Sequence, residues 1–287
     1  MFDFAHENHE INSRIVFVFF LYFVGNEKMK NQISEFLQSR IDAKDFPSAV
    51  YLVAEKGEIV LRDALGLAVI EPERIEAKLD TIYDLASLTK VLVTGLLCAK
   101  LLENDEMNLS DKISKYFDEF DTADKREITI ENLLVHTSGF RGWMPFYLLE
   151  DTTQKPVREQ GRKILRRTES ALAYAQASAL IASEPLVNPI NSAVVYSDLN
   201  FLILTFLLEK IYGETIDKTA KREIFAPLNL QNTFFNPPKE LQRRIAASEK
   251  GNEFERQTCI EQGYEIRNPH SEFKRSGAKF TTGIVIL

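Results

Sequence analysis

The chain has 287 residues, 45% hydrophobic and 27% charged, an ordinary globular composition for one large domain or two joined lobes. Its net charge of −7 repels phosphate backbones and argues against a nucleic-acid partner. Two cysteines, Cys98 and Cys259, exclude a disulfide framework.

Residues 15–24 (IVFVFFLYFV) are unbroken apolar. A bilayer span needs about 20 such residues, so this run is too short to cross alone. It has the length of a signal-peptide apolar core, but its N-terminal flank is more acidic than basic and no small-x-small cleavage site follows. Three readings stay open for residues 1–28: an atypical export signal, a membrane-surface anchor through 15–24, or an extension outside the domain. Localisation is cytoplasmic or exported accordingly. The domain proper is expected over 29–287.

Residues 30–43 place Ile33, Phe36, Leu37 and Ile41 at helical spacing. Two β-prone runs, 49–54 and 59–65, flank a turn at Glu55-Lys56-Gly57-Glu58 and predict a hairpin. Residues 70–80 read as a loop. From Ser87 to Asn104 a nearly all-round apolar helix is expected in the middle of the core, with Cys98 as a small core residue. A further helix is expected from Ser110 or Asp111 as N-cap, and a short one over 129–136, ended by Gly139. Residues 151–170 read as a solvated loop or outer helix. Apolar helices follow over 197–212 and 215–225. Residues 249–279 are polar with little periodicity, and FTTGIVIL at the end reads as a strand. Strands segregated from helices, with no βαβ alternation and no fixed repeat, give α+β.

Ser87-Leu88-Thr89-Lys90 carries the first chemical signal. Residues three apart share a helix face, so a Ser hydroxyl and a Lys amine can meet there. A serine is a poor nucleophile until a neighbour accepts its proton, and a lysine does this if its pKa is lowered. The same spacing recurs at Ser271–Lys274 and Ser276–Lys279, but only Ser87 opens an apolar helix. Taken alone, Ser87 also reads as an N-cap and Lys90 as a first-turn surface lysine. His6, His9 and Glu10 lack the spacing of a zinc helix, and no phosphate-binding loop occurs, so no cofactor or metal is expected.

The segment Tyr83 to Lys90 resembles the active-site serine segment of class C β-lactamases and their relatives, the esterases and D-alanyl-D-alanine peptidases. Leu133-Leu134-Val135-His136-Thr137-Ser138-Gly139 resembles a second hallmark, and Tyr196-Ser197-Asp198 a third, in the family's order, over about residues 30–265. The resemblance implies a β-lactamase/transpeptidase-like fold, an antiparallel sheet packed with helices plus a helical lobe. It implies Ser87 as acylated nucleophile, Lys90 as its proton partner, Tyr196 as general base or relay, and Asp198 holding Lys90 and lining the substrate site. It also makes the His136 turn structural rather than catalytic. Many relatives carry Asn where Asp198 stands.

The family's late Lys/His-x-Gly strand has no convincing counterpart. Thr281-Thr282-Gly283 comes nearest and lacks the basic residue. The expected sheet is therefore incomplete at a truncated C-terminus. The implied function is hydrolysis of a small-molecule or peptide amide, ester or β-lactam through an acyl-enzyme. The alternative is a catalytically impaired remnant or binding module of the same fold.

Overall fold

The structure is a computed structural model that describes residues 27–144, 177–248, 253–261 and 285–286. Residues 6–10, 15–24 and 151–170, the serine-lysine pairs beginning at 271 and 276, and Thr281 to Gly283 lie outside the described residues. The described residues fall into two compact units, one from 27–86, 232–248 and 285–286, the other from 87–144, 177–231 and 253–261.

The first unit is built on a hairpin. Helix α1 (Glu27–Asp42) precedes strands β1 (Ser48–Glu55) and β2 (Glu58–Val69), which pair antiparallel. Only two residues connect them. Lys56 (φ 52°) and Gly57 (φ 86°) both take the left-handed region, the geometry whose twist matches that of the flanking strands. Ile33, Leu37 and Ile41 are half-buried, but Phe36 is exposed, so the apolar face of α1 is narrower than the sequence suggests. Ser34 ties the helix to the hairpin, with its Oγ 2.9 Å from the Tyr51 hydroxyl and donating to Asp63 at 2.7 Å.

The loop expected at 70–80 contains a short strand, β3 (Ile75–Glu76), paired with β2 in the order β1-β2-β3. Backbone pairing forms this strand, and two residues are too short a run to give a periodic signal. Strand β4 (Tyr83–Asp84) pairs with β5 (Val285–Ile286), the described part of the expected terminal strand. The two sheets are separate, so the antiparallel sheet is not closed among the described residues.

The second unit is helical. Its first helix starts at Leu88, runs through a π-helical stretch (Lys90–Gly95) and continues as α2 (Leu96–Glu103). Val93, Leu97, Cys98 and Leu101 are buried, and burial pushes the Cys98 thiol up to about 12, leaving it an inert core group. Val91 is 60% exposed and Leu96 44%, so this helix is buried on one side rather than all round, contrary to expectation.

No helix starts at Ser110 or Asp111. The Asp111 carboxylate instead accepts from the Asn108 N–H, the Tyr116 hydroxyl and Lys115, closing a turn before a single 3₁₀ turn at Ile113–Lys115. Short helix α3 (Ile130–Leu134) is capped by Thr129, whose Oγ accepts from the Asn132 N–H while the Asn132 side chain accepts from the Thr129 N–H. Helical residues 177–183 (α4) lead to α5 (Asp198–Tyr212), which ends at Gly213 with φ 69°.

Helix α5 is the centre of this unit. Leu199, Ile203, Leu204, Leu207 and Leu208 are all fully buried, and both α3 and the π-helical stretch pack on it. Helix α6 (Ile216–Ala220) continues into a π-helical turn over Lys221–Phe225. Helix α7 (Glu253–Glu261) occupies sequence expected to be irregular. Of its described side chains Cys259 is buried and Ile260 exposed, too sparse a pattern to show periodicity. No helix among the described residues is long and apolar enough to cross a membrane.

Candidate active site

The start of α5 is held by a turn from the end of α3. His136, at φ 61°, turns the chain after α3, and its carbonyl accepts the Val195 N–H at 2.9 Å. Its ring Nδ1 accepts the Ser197 N–H at 3.0 Å. Ser197 is extended (φ −135°), and its Oγ donates to the Arg141 carbonyl at 2.7 Å. The Asp198 N–H donates to the Gly142 carbonyl at 2.7 Å. These bonds satisfy donors at the helix start that no side-chain cap supplies. Gly139 makes the turn possible: it sits at φ 89°, and a Cβ there would lie 2.2 Å from the Asn188 carbonyl oxygen.

The four residues expected to act together are brought together. Lys90 Nζ donates to Ser87 Oγ at 3.0 Å. The same ammonium lies 2.6 Å from Asp198 Oδ1 and 4.9 Å from the centre of the Tyr196 ring. Phe201, one turn into α5, adds a second ring 5.9 Å from Nζ. The Lys90 side chain is only 14% exposed, so its charge is partly desolvated and takes compensation from a carboxylate and two aromatic faces. Ser87 itself is exposed, open to a substrate.

His136 is not paired with Ser87. Its ring centre lies 4.8 Å from that of Tyr196 and 5.2 Å from that of Phe201, in tilted contacts. Its pKa is lowered, first by burial and then by the nearby Lys90 charge, with Asp198 opposing. A neutral ring with Nδ1 as acceptor is what the Ser197 bond requires.

Asn200 was not singled out in the sequence. It is fully buried, its Oδ1 accepts from the buried Ser138 hydroxyl at 2.7 Å, and its Nδ2 lies 3.4 Å from His136 Nδ1. A polar amide inside an otherwise apolar helix, two residues after Asp198, was the available signal, because buried amides need partners.

The beta-lactamase family model matches residues 33–271. A putative D-alanyl-D-alanine carboxypeptidase of Escherichia coli K12 is 28% identical over 224 residues, covering 74% of this chain and 48% of that protein. Its counterpart in Salmonella typhimurium is 29% identical over 227 residues, covering 75% of this chain and 49% of the relative. The chain thus spans about half the length of the curated relatives it matches. Among solved structures, a penicillin-binding protein homologue from Caulobacter crescentus superposes with a TM-score of 0.58 at 19% identity, over 78% of this chain and 55% of that one. A class C beta-lactamase from Rhodobacter sphaeroides does so with a TM-score of 0.59 at 19% identity, over 86% and 69%. At these identities the likeness shows the fold: β-lactamase/transpeptidase-like, with helices and an antiparallel sheet.

Proposed function

This chain belongs to the beta-lactamase family, and we propose that it is a serine hydrolase that cleaves an amide, ester or β-lactam through an acyl-enzyme at Ser87. The observation that carries this reading is the position of Lys90 Nζ, 3.0 Å from Ser87 Oγ and 2.6 Å from Asp198. The carboxypeptidase-like relatives support it at the level of reaction class.

Ser87 Oγ forms a bond to the substrate carbonyl carbon as its hydroxyl proton passes to Tyr196 as general base, while the Lys90 ammonium holds Oγ through its hydrogen bond. The tetrahedral intermediate then collapses, the bond to the leaving group breaks, and the leaving group departs with that proton. Water adds to the acyl-serine carbonyl, gives up a proton to Tyr196, and releases the acid as Ser87 regains its hydrogen. Asp198 holds the lysine in reach of Oγ throughout. No metal or organic cofactor enters these steps.

Rapid mixing with a p-nitrophenyl ester tests the proposal. A burst of p-nitrophenol stoichiometric with protein, lost in Ser87→Ala, is the expected result. Covalent labelling by fluorescent penicillin would extend the substrate range to β-lactams. Neither a burst nor label that depends on Ser87 would leave the alternative, a non-catalytic binding module of the same fold.

A further inference from the structure

We propose that Asp198 makes this site select neutral acyl substrates over carboxylate-bearing ones. The inference rests on the acyl-enzyme reading and adds a substrate class to it.

The charge arrangement leads there. Lys90 is the cation in contact with Ser87, and Asp198 at 2.6 Å already neutralises it. The two ends of that pair are not equally presented: the Lys90 side chain is 14% exposed and the Asp198 side chain 38%. What the pair shows to an arriving ligand is therefore mainly its negative end. An amide at position 198 would leave the lysine charge unmatched and the region around Ser87 net positive. A carboxylate there removes that attraction and adds repulsion.

Neither Arg141 nor His136 restores it. Arg141, whose carbonyl anchors Ser197, directs its guanidinium to Glu184 at 3.0 Å. His136 contributes no positive charge, since its Nδ1 accepts the Ser197 N–H. Two exposed side chains just before Asp198 in the chain are uncharged: Tyr196 is 54% exposed and Val194 75%. Of the charged groups these contacts place around Ser87, the Asp198 carboxylate is the one more open to an arriving ligand.

Two fluorophosphonate probes, identical except that one ends in a carboxylate and the other in its methylamide, test this on the full chain. The second-order rate of Ser87 modification is read for each. The neutral probe is expected to react about tenfold faster or more at low salt, the effect of a like charge at close range in a partly screened site. High salt is expected to narrow the gap by speeding the anionic probe alone. Asp198→Asn is expected to bring the ratio close to one. Because each ratio is taken within a single protein, a general loss of reactivity in the variant cancels.

Equal rates in the wild type, a faster anionic probe, or a ratio indifferent to both salt and Asp198→Asn would overturn the preference. The salt series on the wild type decides the matter even where Asp198→Asn fails to fold. Absence of Ser87-dependent modification by either probe is a separate result and overturns the acyl-enzyme reading itself.

Discussion

His136 Nδ1 accepts the backbone N–H of Ser197 at 3.0 Å, so the end of α3 and the start of α5 share one hydrogen bond that exists only while that nitrogen is unprotonated. Burial first, and Lys90 second, hold the His136 pKa below its ordinary value of 6.5. The unfolded chain therefore takes up this proton before the folded one does. The contribution of His136 to stability is intact above 6.5 and is lost as pH falls below it toward the depressed folded value. Urea unfolding between neutral and mildly acidic pH should show stability falling with pH, with a smaller slope in His136→Gln. An unchanged slope would assign the acid sensitivity to other groups.

Asn200 and Ser138 are expected to be energetically coupled. The Ser138 hydroxyl donates to Asn200 Oδ1 at 2.7 Å, with both residues buried. Asn200→Ala leaves that donor without its acceptor and should cost about 1–3 kcal/mol. Ser138→Ala should also destabilise, since Oγ accepts from the Phe140 N–H at 3.3 Å as well. A double-mutant cycle from urea midpoints should show the two losses to be less than additive, by about 0.5–3 kcal/mol. Strict additivity would mean the bond contributes nothing in solution.

Gly139 and Gly57 separate backbone strain from steric clash. Both have positive φ, 89° and 86°, but a Cβ on Gly57 meets nothing within 4 Å, while one on Gly139 would sit 2.2 Å from the Asn188 carbonyl oxygen. Gly57→Ala should cost about 1 kcal/mol, the strain of a left-handed alanine. Gly139→Ala should cost well over that, because the Asn188 backbone must move and with it the bonds from Val187 and Asn188 to the Gly139 carbonyl. Thermal unfolding of the two variants gives the comparison, and equal shifts would show that the 139 turn relaxes freely.

The sequence carried the local part of this site and not the long-range part. The contact between Ser87 and Lys90 was legible because a helix puts residues three apart on one face, and α5 was legible from its apolar run. The hairpin was legible from Lys56-Gly57. The contact of Asp198 with Lys90 was reached only through the family resemblance, since no spacing rule links residues so far apart. Asn200 was missed for the same reason: its partner lies in a distant turn. The first helix of the second unit was expected to be buried all round because hydrophobicity reports composition, whereas exposure of Val91 and Leu96 depends on what packs against each side. Asp111 was misread as a cap because the same side chain closes a turn equally well.

Ser87 and Lys90 are expected to fail as one unit. Lys90 Nζ touches both Ser87 Oγ and Asp198, so its removal takes away the group that holds the Ser87 hydroxyl in place and also leaves a carboxylate unpaired. Lys90→Met should lower the acylation rate by about 10²–10⁴-fold, the usual worth of a well-positioned proton transfer. It should also lower stability, since truncating one side of a partly buried ion pair strands the other. Lys90→Met/Asp198→Asn should recover the stability without recovering the rate. Ser87→Ala and Ser87→Ala/Lys90→Met should be equally inactive, because a group that positions a hydroxyl has no value without that hydroxyl. Burst-phase rate and urea midpoint, measured across the four variants, check both halves. A double variant at Ser87 and Lys90 clearly slower than Ser87→Ala would mean that Lys90 serves a nucleophile other than Ser87.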